Sequence, residues 1–285
     1  MHPINTAVTL SVLVVSLLSA GSPEIISYGP DPEQTMQYTP SANNGAASGL
    51  VVFVHGGGWS RGSKENATGR WKAAHFTEQG FAFASIDYRL VPRVRVEDQA
   101  ADVASSLAKL FQESARLGFD TTMVVLMGHS AGAHLSALVG TDPSCLGSIG
   151  RELSSIAGVV LIDGAAYDVP RQMRDAGRFM ASRYEQAFGR DTARQRNLSP
   201  VLHAQEPNAS RFLILHIDRA DGTTQARDLA QALVLGGTSA QINGFSDRGL
   251  LGHMRINRGL GDPKNPATAV VDQWLGQIRT AAKNP

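Results

Sequence analysis

A mostly parallel β-sheet with helices on both faces is the fold class that this chain of 285 residues predicts. Six short apolar runs of strand length recur from residue 50 onward, and stretches with apolar residues at 3.6 spacing stand between them. The runs are apolar almost without interruption. A sheet exposed on one face would alternate instead, so both faces are expected to be covered.

The strands are expected at 50–54, 81–86, 123–127, 159–162, 212–217 and 240–244, and the helices at 97–112, 131–140, 224–235 and 268–282. Residues 170–207 break the rhythm. There Met173, Gly177, Met180, Tyr184 and Phe188 fall on one helical stripe, and arginines at 171, 174, 178, 183, 190, 194 and 196 fill much of the rest. This reads as an inserted amphipathic helix serving as a small cap, or lid, over a site. The run over 7–18 is apolar and uncharged, with small residues around Ala20, which predicts a secretory signal over 1–21 and one domain over 22–285. A secreted or periplasmic location follows, with an uncleaved membrane anchor as the alternative, and no stable span is expected after cleavage.

Charged residues make up 18% and the formal charge is +1, so no net field draws the chain to nucleic acid or an anionic membrane. A small uncharged substrate fits that balance. Cys145 is the lone cysteine and the histidines show no zinc-ligand spacing, so neither a disulfide nor a metal site is expected. Oligomeric state leaves no sequence signal.

The chemistry is concentrated at GHSAG, residues 128–132, between the apolar run TTMVVLM and the helix-forming AGAHLSALV. A serine flanked by glycines at a strand-to-helix turn is what a nucleophile elbow requires. Gly128 and Gly132 allow the backbones to close, and Ser130 stands out with its hydroxyl exposed. Upstream, HGGGW (55–59) follows the run LVVFV. Gly57 and Gly58 lack side chains that would crowd a substrate, so their N–H groups, with that of Ala131, can form an oxyanion hole. His55 is expected to orient this loop. Trp59 and His129 are candidates for the substrate pocket. Asp87 and Arg89 are expected to pair near the end of their strand, while Glu97, Asp98 and Asp102 suit a helix start.

These motifs resemble the α/β-hydrolase superfamily, and more narrowly its HGGG-type, hormone-sensitive-lipase-like esterases. YGPDPEQTMQYTP (28–40), SIDYRL (85–90), DGAAYDV (163–169) and HMRINRGLG (253–261) look like family landmarks in family order. GHSAGAH, with His129 where many such esterases have aspartate, is more similar to kynurenine formamidases and small aryl esterases. Gly58 stands where formamidases often have tyrosine.

The resemblance implies a serine carboxylesterase that needs no cofactor and works through a triad in the order serine, acid, histidine. His134 lies one turn past Ser130, His203 in the insertion and His216 inside an apolar run, so His253, in the glycine-rich SDRGLLGHM, is the expected base. Asp221, in RADGTTQ, resembles the family's acid. Asp218 and Asp163 remain open. An arylformamidase using the same triad is the alternative activity, and a non-catalytic binding protein of this fold the remote one.

Overall fold

The computed structural model describes residues 22–43, 46–205 and 207–283. The anticipated signal over 1–21 lies outside the described residues. An eight-stranded sheet forms the centre, in the order β1-β2-β4-β3-β5-β6-β7-β8. Its strands are β1 (Glu24–Ser27), β2 (Thr35–Thr39), β3 (Leu50–Val54), β4 (Ala82–Ile86), β5 (Val124–His129), β6 (Gly158–Ile162), β7 (Arg211–Ile217) and β8 (Ser239–Phe245). From β4 to β8 every neighbouring pair is parallel, whereas β1 and β2 add an antiparallel edge. That edge was not anticipated. β2 is five residues long and inward-facing only at Met36 and Tyr38, too short a pattern to stand out beside a turn-rich segment.

The helices are α1 (Lys72–Glu78), α2 (Val96–Gln112), α3 (Ser114–Leu117), α4 (Ala131–Thr141), α5 (Pro143–Gly147), α6 (Val169–Asp175), α7 (Arg178–Phe188), α8 (Thr192–Asn197), α9 (Pro200–His203), α10 (Ala220–Leu235), α11 (Gly249–Arg258) and α12 (Pro266–Lys283). Along β3, Leu50, Val52 and Val54 join one apolar core, while Val51 and Phe53 join a second on the opposite face. Helices α2, α4 and α10 supply the first core and α1, α11 and α12 the second, which is why β3 to β7 show no polar alternation, unlike the outer strands β2 and β8. No helix among the described residues is long and apolar enough to cross a membrane.

Four short helices, α6 to α9, occupy the segment expected to hold one amphipathic helix. The stripe is cut after Asp175, where Ala176 takes an extended backbone and Gly177 starts α7. Tyr184 and Phe188 on α7 pack against Trp59 at ring distances of 5.9 and 4.7 Å, which fastens the insertion to the sheet. Burying rings of this size contributes on the order of 2–3 kcal/mol each.

The anticipated Asp87–Arg89 pair is not formed. Asp87 takes Lys64 at 2.6 Å, and Arg89 turns to Asp102 on α2 with hydrogen bonds of 2.9 Å from Nε and 2.6 Å from Nη2. Asp102 is almost wholly buried in the second turn, and a buried carboxylate requires a full countercharge that the helix dipole cannot replace. Asp98 does act at the helix start, accepting from Arg95 N at 2.9 Å. Another buried charge sits on α1. The Lys72 ammonium donates to Thr68 O and to both oxygens of Asn257, one helical turn beyond His253, and burial pushes its pKa down to about 7.

Candidate active site

Ser130 occupies the junction of β5 and α4 with φ 56° and ψ −118°, a conformation that costs a non-glycine residue roughly 1–3 kcal/mol and is held by its surroundings. Both flanking glycines are required by contact. A Cβ on Gly128 would lie 2.2 Å from Gly132 O, and one on Gly132 would lie 2.1 Å from Val54 O. The second contact brings the end of β3, and so the HGGGW loop, against the elbow. Ser130 N donates to Ile162 O at 3.0 Å, extending the sheet ladder into the turn. The Ser130 side chain is half-buried and makes no hydrogen bond among the described residues.

Gly57 and Gly58 adopt φ values of 135° and 60°, open to glycine at little cost. Their N–H groups, and that of Ala131 at the first turn of α4, have no protein acceptor among the described residues. The loop that carries the first two lies against the serine, where a Cβ on Gly56 would meet Ser130 Cβ at 3.0 Å, and the N-terminal dipole of α4 adds positive potential there. His55 does orient the loop. It donates from Nδ1 to Gly56 O at 2.8 Å and stacks on Tyr88 at 4.3 Å, and burial lowers its pKa, which favours the neutral ring.

Trp59 and His129, expected at the pocket, are both buried. Trp59 donates from Nε1 to His134 Nδ1 at 3.3 Å, and His134 donates from Nε2 to Leu198 O at 2.8 Å, so this ring pair ties the oxyanion loop to α4 and the insertion. His129 donates from Nε2 to His253 O at 3.0 Å, and its ring lies 4.5 Å from the His253 ring. Burial first, then the neighbouring His253 and Lys72, hold His129 neutral. Neither side chain is a surface that substrate can meet.

His253 sits on α11 rather than in a flexible loop. Gly249 and Gly252 weaken the local helix signal, but packing of Ile256 in the second core overrides propensity. Its Nδ1 donates to Asp163 Oδ2 at 2.5 Å. Asp163 follows β6 directly with φ 43° and is fully buried. Burial alone would push its carboxyl up, but the His253 hydrogen bond and then the Arg219 charge outweigh it and hold it below the usual carboxylate range.

The acid expectation is corrected accordingly. Asp221 is the second residue of α10 and makes no hydrogen bond to His253, accepting instead from Arg219 Nη1 at 3.3 Å and Gln172 Nε2 at 3.4 Å. Asp218 pairs with Arg248 at the surface. The loop in which Asp221 seemed able to swing is already helix, so its reach is fixed. Arg219 was missed altogether. Its Nη2 approaches Asp163 Oδ1 at 3.5 Å and Gly164 O at 3.0 Å, leaving Oδ2 to the imidazole. An aspartate directly after GVVLI was the available signal for Asp163; nothing in the sequence pointed to Arg219.

A cavity of about 840 Å³ lies at the opposite ends of β6 to β8, lined by Leu153, Asn208, Ser210 and Thr238 among others. It contains none of the groups above. In open parallel sheets the reacting groups gather at the carboxyl ends of strands, where Ser130 and Asp163 stand.

A family model described as BD-FAE matches residues 37–233. Isoprenylcysteine alpha-carbonyl methylesterase ICME of Arabidopsis thaliana is 34% identical over 113 residues, 39% of this chain and 26% of that protein. Esterase LipC of Mycobacterium tuberculosis is 29% identical over 204 residues, 68% of this chain and 50% of that protein. The chain thus spans about a quarter to a half of the curated relatives it matches. Among solved structures, esterase B from Lactobacillus rhamnosis superposes with a TM-score of 0.74 at 21% identity, covering 93% of this chain and 90% of that one, a likeness of fold.

Proposed function

Because the chain belongs to the BD-FAE family and has the α/β-hydrolase fold, we propose that it is a serine carboxylesterase that cleaves small carboxylic esters through an acyl-enzyme. The observation that carries this reading is the His253–Asp163 hydrogen bond on a helix braced against the elbow of Ser130. With Nδ1–H committed to Asp163, His253 Nε2 is the free base. It takes the Ser130 proton as Oγ attacks the ester carbon, then returns it to the departing alkoxide. Water repeats the sequence on the acyl-serine. The N–H groups of Gly57, Gly58 and Ala131 receive the negative oxygen of each tetrahedral intermediate.

Arg219 acts as a positioning residue. It fixes Asp163 Oδ1 and adds positive charge beside the His253–Asp163 pair. Without it the Asp163 carboxyl loses a charge that helps hold it low and a contact that fixes its orientation. Arg219→Gln is therefore expected to lower kcat for p-nitrophenyl butyrate by about tenfold, and Arg219→Lys, which keeps the charge, to restore most of it. Steady-state kinetics of both variants checks this, and an unchanged kcat in Arg219→Gln or no rescue by lysine refutes the role.

The names of the two relatives described above support an ester; a kynurenine formamidase of Salmo salar is also similar, 29% identical over a shorter stretch of 90 residues. A fluorophosphonate is expected to label Ser130 in the folded protein, and p-nitrophenyl butyrate to be turned over faster than N-formylkynurenine. An unlabelled Ser130 would refute the hydrolase; faster turnover of the formamide would make it an arylformamidase.

A further inference from the structure

Carboxylates hold the other half-buried arginines of the insertion. Arg171 binds Asp228 at 2.6 Å, and Arg194 binds Glu97 through two hydrogen bonds of 2.6 and 2.7 Å. Arg183, on α7 and likewise half-buried, has no hydrogen-bond or ion-pair partner among the described residues. Its side chain lies on the oxyanion loop, because a Cβ on Gly58 would meet Arg183 Cδ at 3.0 Å and Nη1 at 3.9 Å. The other flank of the loop carries a second such arginine. Arg61 Cγ would stand 3.2 Å from a Cβ on Gly57, and its guanidinium, on an exposed residue, also has no partner among the described residues.

The charges around Arg183 leave it uncompensated. Arg219, which like Arg183 acts on the neighbouring Tyr184, is neutralised by Asp163 and Asp221. Tyr184, the next residue on α7, stays a neutral phenol because burial pushes its pKa up to about 12. A guanidinium partly withdrawn from water gains most from a planar anion that takes two of its N–H groups. The net charge of +1 suggested an uncharged substrate, but a sum over the whole chain does not register a local excess of this kind.

We propose that Arg183, flanked by Arg61, makes this site selective for esters whose acyl chain carries a carboxylate, the hemiesters of short dicarboxylic acids being the simplest. The proposal rests on the serine-hydrolase reading above. With the acyl carbonyl oxygen held at Gly57 and Gly58, a carboxylate three or four carbons further along the chain falls within reach of the guanidinium lying over Gly58. Arg183 in this role sets specificity and takes no part in bond making.

The test compares kcat/KM for mono-p-nitrophenyl glutarate and for p-nitrophenyl valerate, with the full chain and with Arg183→Gln. The wild-type protein is expected to prefer the glutarate by about tenfold. In Arg183→Gln that ratio falls by about tenfold, chiefly through KM for the glutarate, and 0.5 M NaCl narrows the wild-type preference. A wild-type protein that favours valerate, or treats the two alike, overturns the proposal. So does an equal loss on both esters in Arg183→Gln, which would make the arginine a mere support for the loop. If neither ester is hydrolysed and fluorophosphonate leaves Ser130 unlabelled, the hydrolase reading itself has failed, an outcome distinct from hydrolysis without anion preference.

Discussion

Ser130→Ala is expected to lower kcat for p-nitrophenyl butyrate by about 10⁵-fold or more while leaving the thermal midpoint within a few degrees of wild type. Every covalent step passes through the serine Oγ, so its removal leaves only the oxyanion donors and substrate binding to lower the barrier. The hydroxyl makes no hydrogen bond among the described residues, and alanine tolerates the φ of 56° about as well as serine does, so the fold loses little. Steady-state hydrolysis with a parallel melt by circular dichroism checks both halves. Retention of more than a few per cent of activity would show that the nucleophile lies elsewhere.

The second large effect separates two aspartates 58 positions apart in sequence. Asp163→Asn is expected to reduce kcat by about 10⁴-fold, because an amide there no longer fixes the imidazole tautomer that leaves Nε2 free, and no longer balances the imidazolium. Asp221→Asn is expected to cost less than about tenfold, since among the described residues that carboxylate bonds to Arg219 and Gln172 and not to His253. The carboxyl of Asp163 is held below its ordinary range, so its stabilising effect on the fold is present above that range and lost as pH falls through the lowered value. The comparison is therefore made at neutral pH, well above that range. Equal losses in the two variants would return the acid to α10.

The same pair shows what the sequence could and could not specify. β3 to β7 were legible within a few residues because each is an almost uninterrupted apolar run buried on two faces, and α2, α4, α10 and α12 because each carries an apolar helical period. The elbow was legible because its backbone contacts at Gly128 and Gly132 admit no side chain, a demand that sequence records directly. The acid was not. Asp163, Asp218 and Asp221 all follow strands, and only the position of α11 decides which of them meets His253. That helix begins RGLLGH, a poor local helix signal, so it was read as a loop. Asp221 has a local reason of its own to be there, since a carboxylate in the first turn of α10 complements the helix dipole. Trp59 and His129 were misplaced for a related reason. An aromatic beside a reactive loop can wall a cavity or anchor the loop, and here anchoring prevails.

Ser130 N bonds to Ile162 O and Asp163 N to Leu215 O, so the proposed nucleophile and acid are both continuations of the ladder that joins β5, β6 and β7. Their separation is therefore set by the spacing of neighbouring strands, about 4.8 Å, and not by any loop. Only the base arrives from outside the sheet, on α11. The proposed triad thus has one member whose place depends on helix packing, and the Lys72–Asn257 contact ties that helix to α1. Heat or solvent that silences the site before the domain melts has one place to act, the seat of that helix.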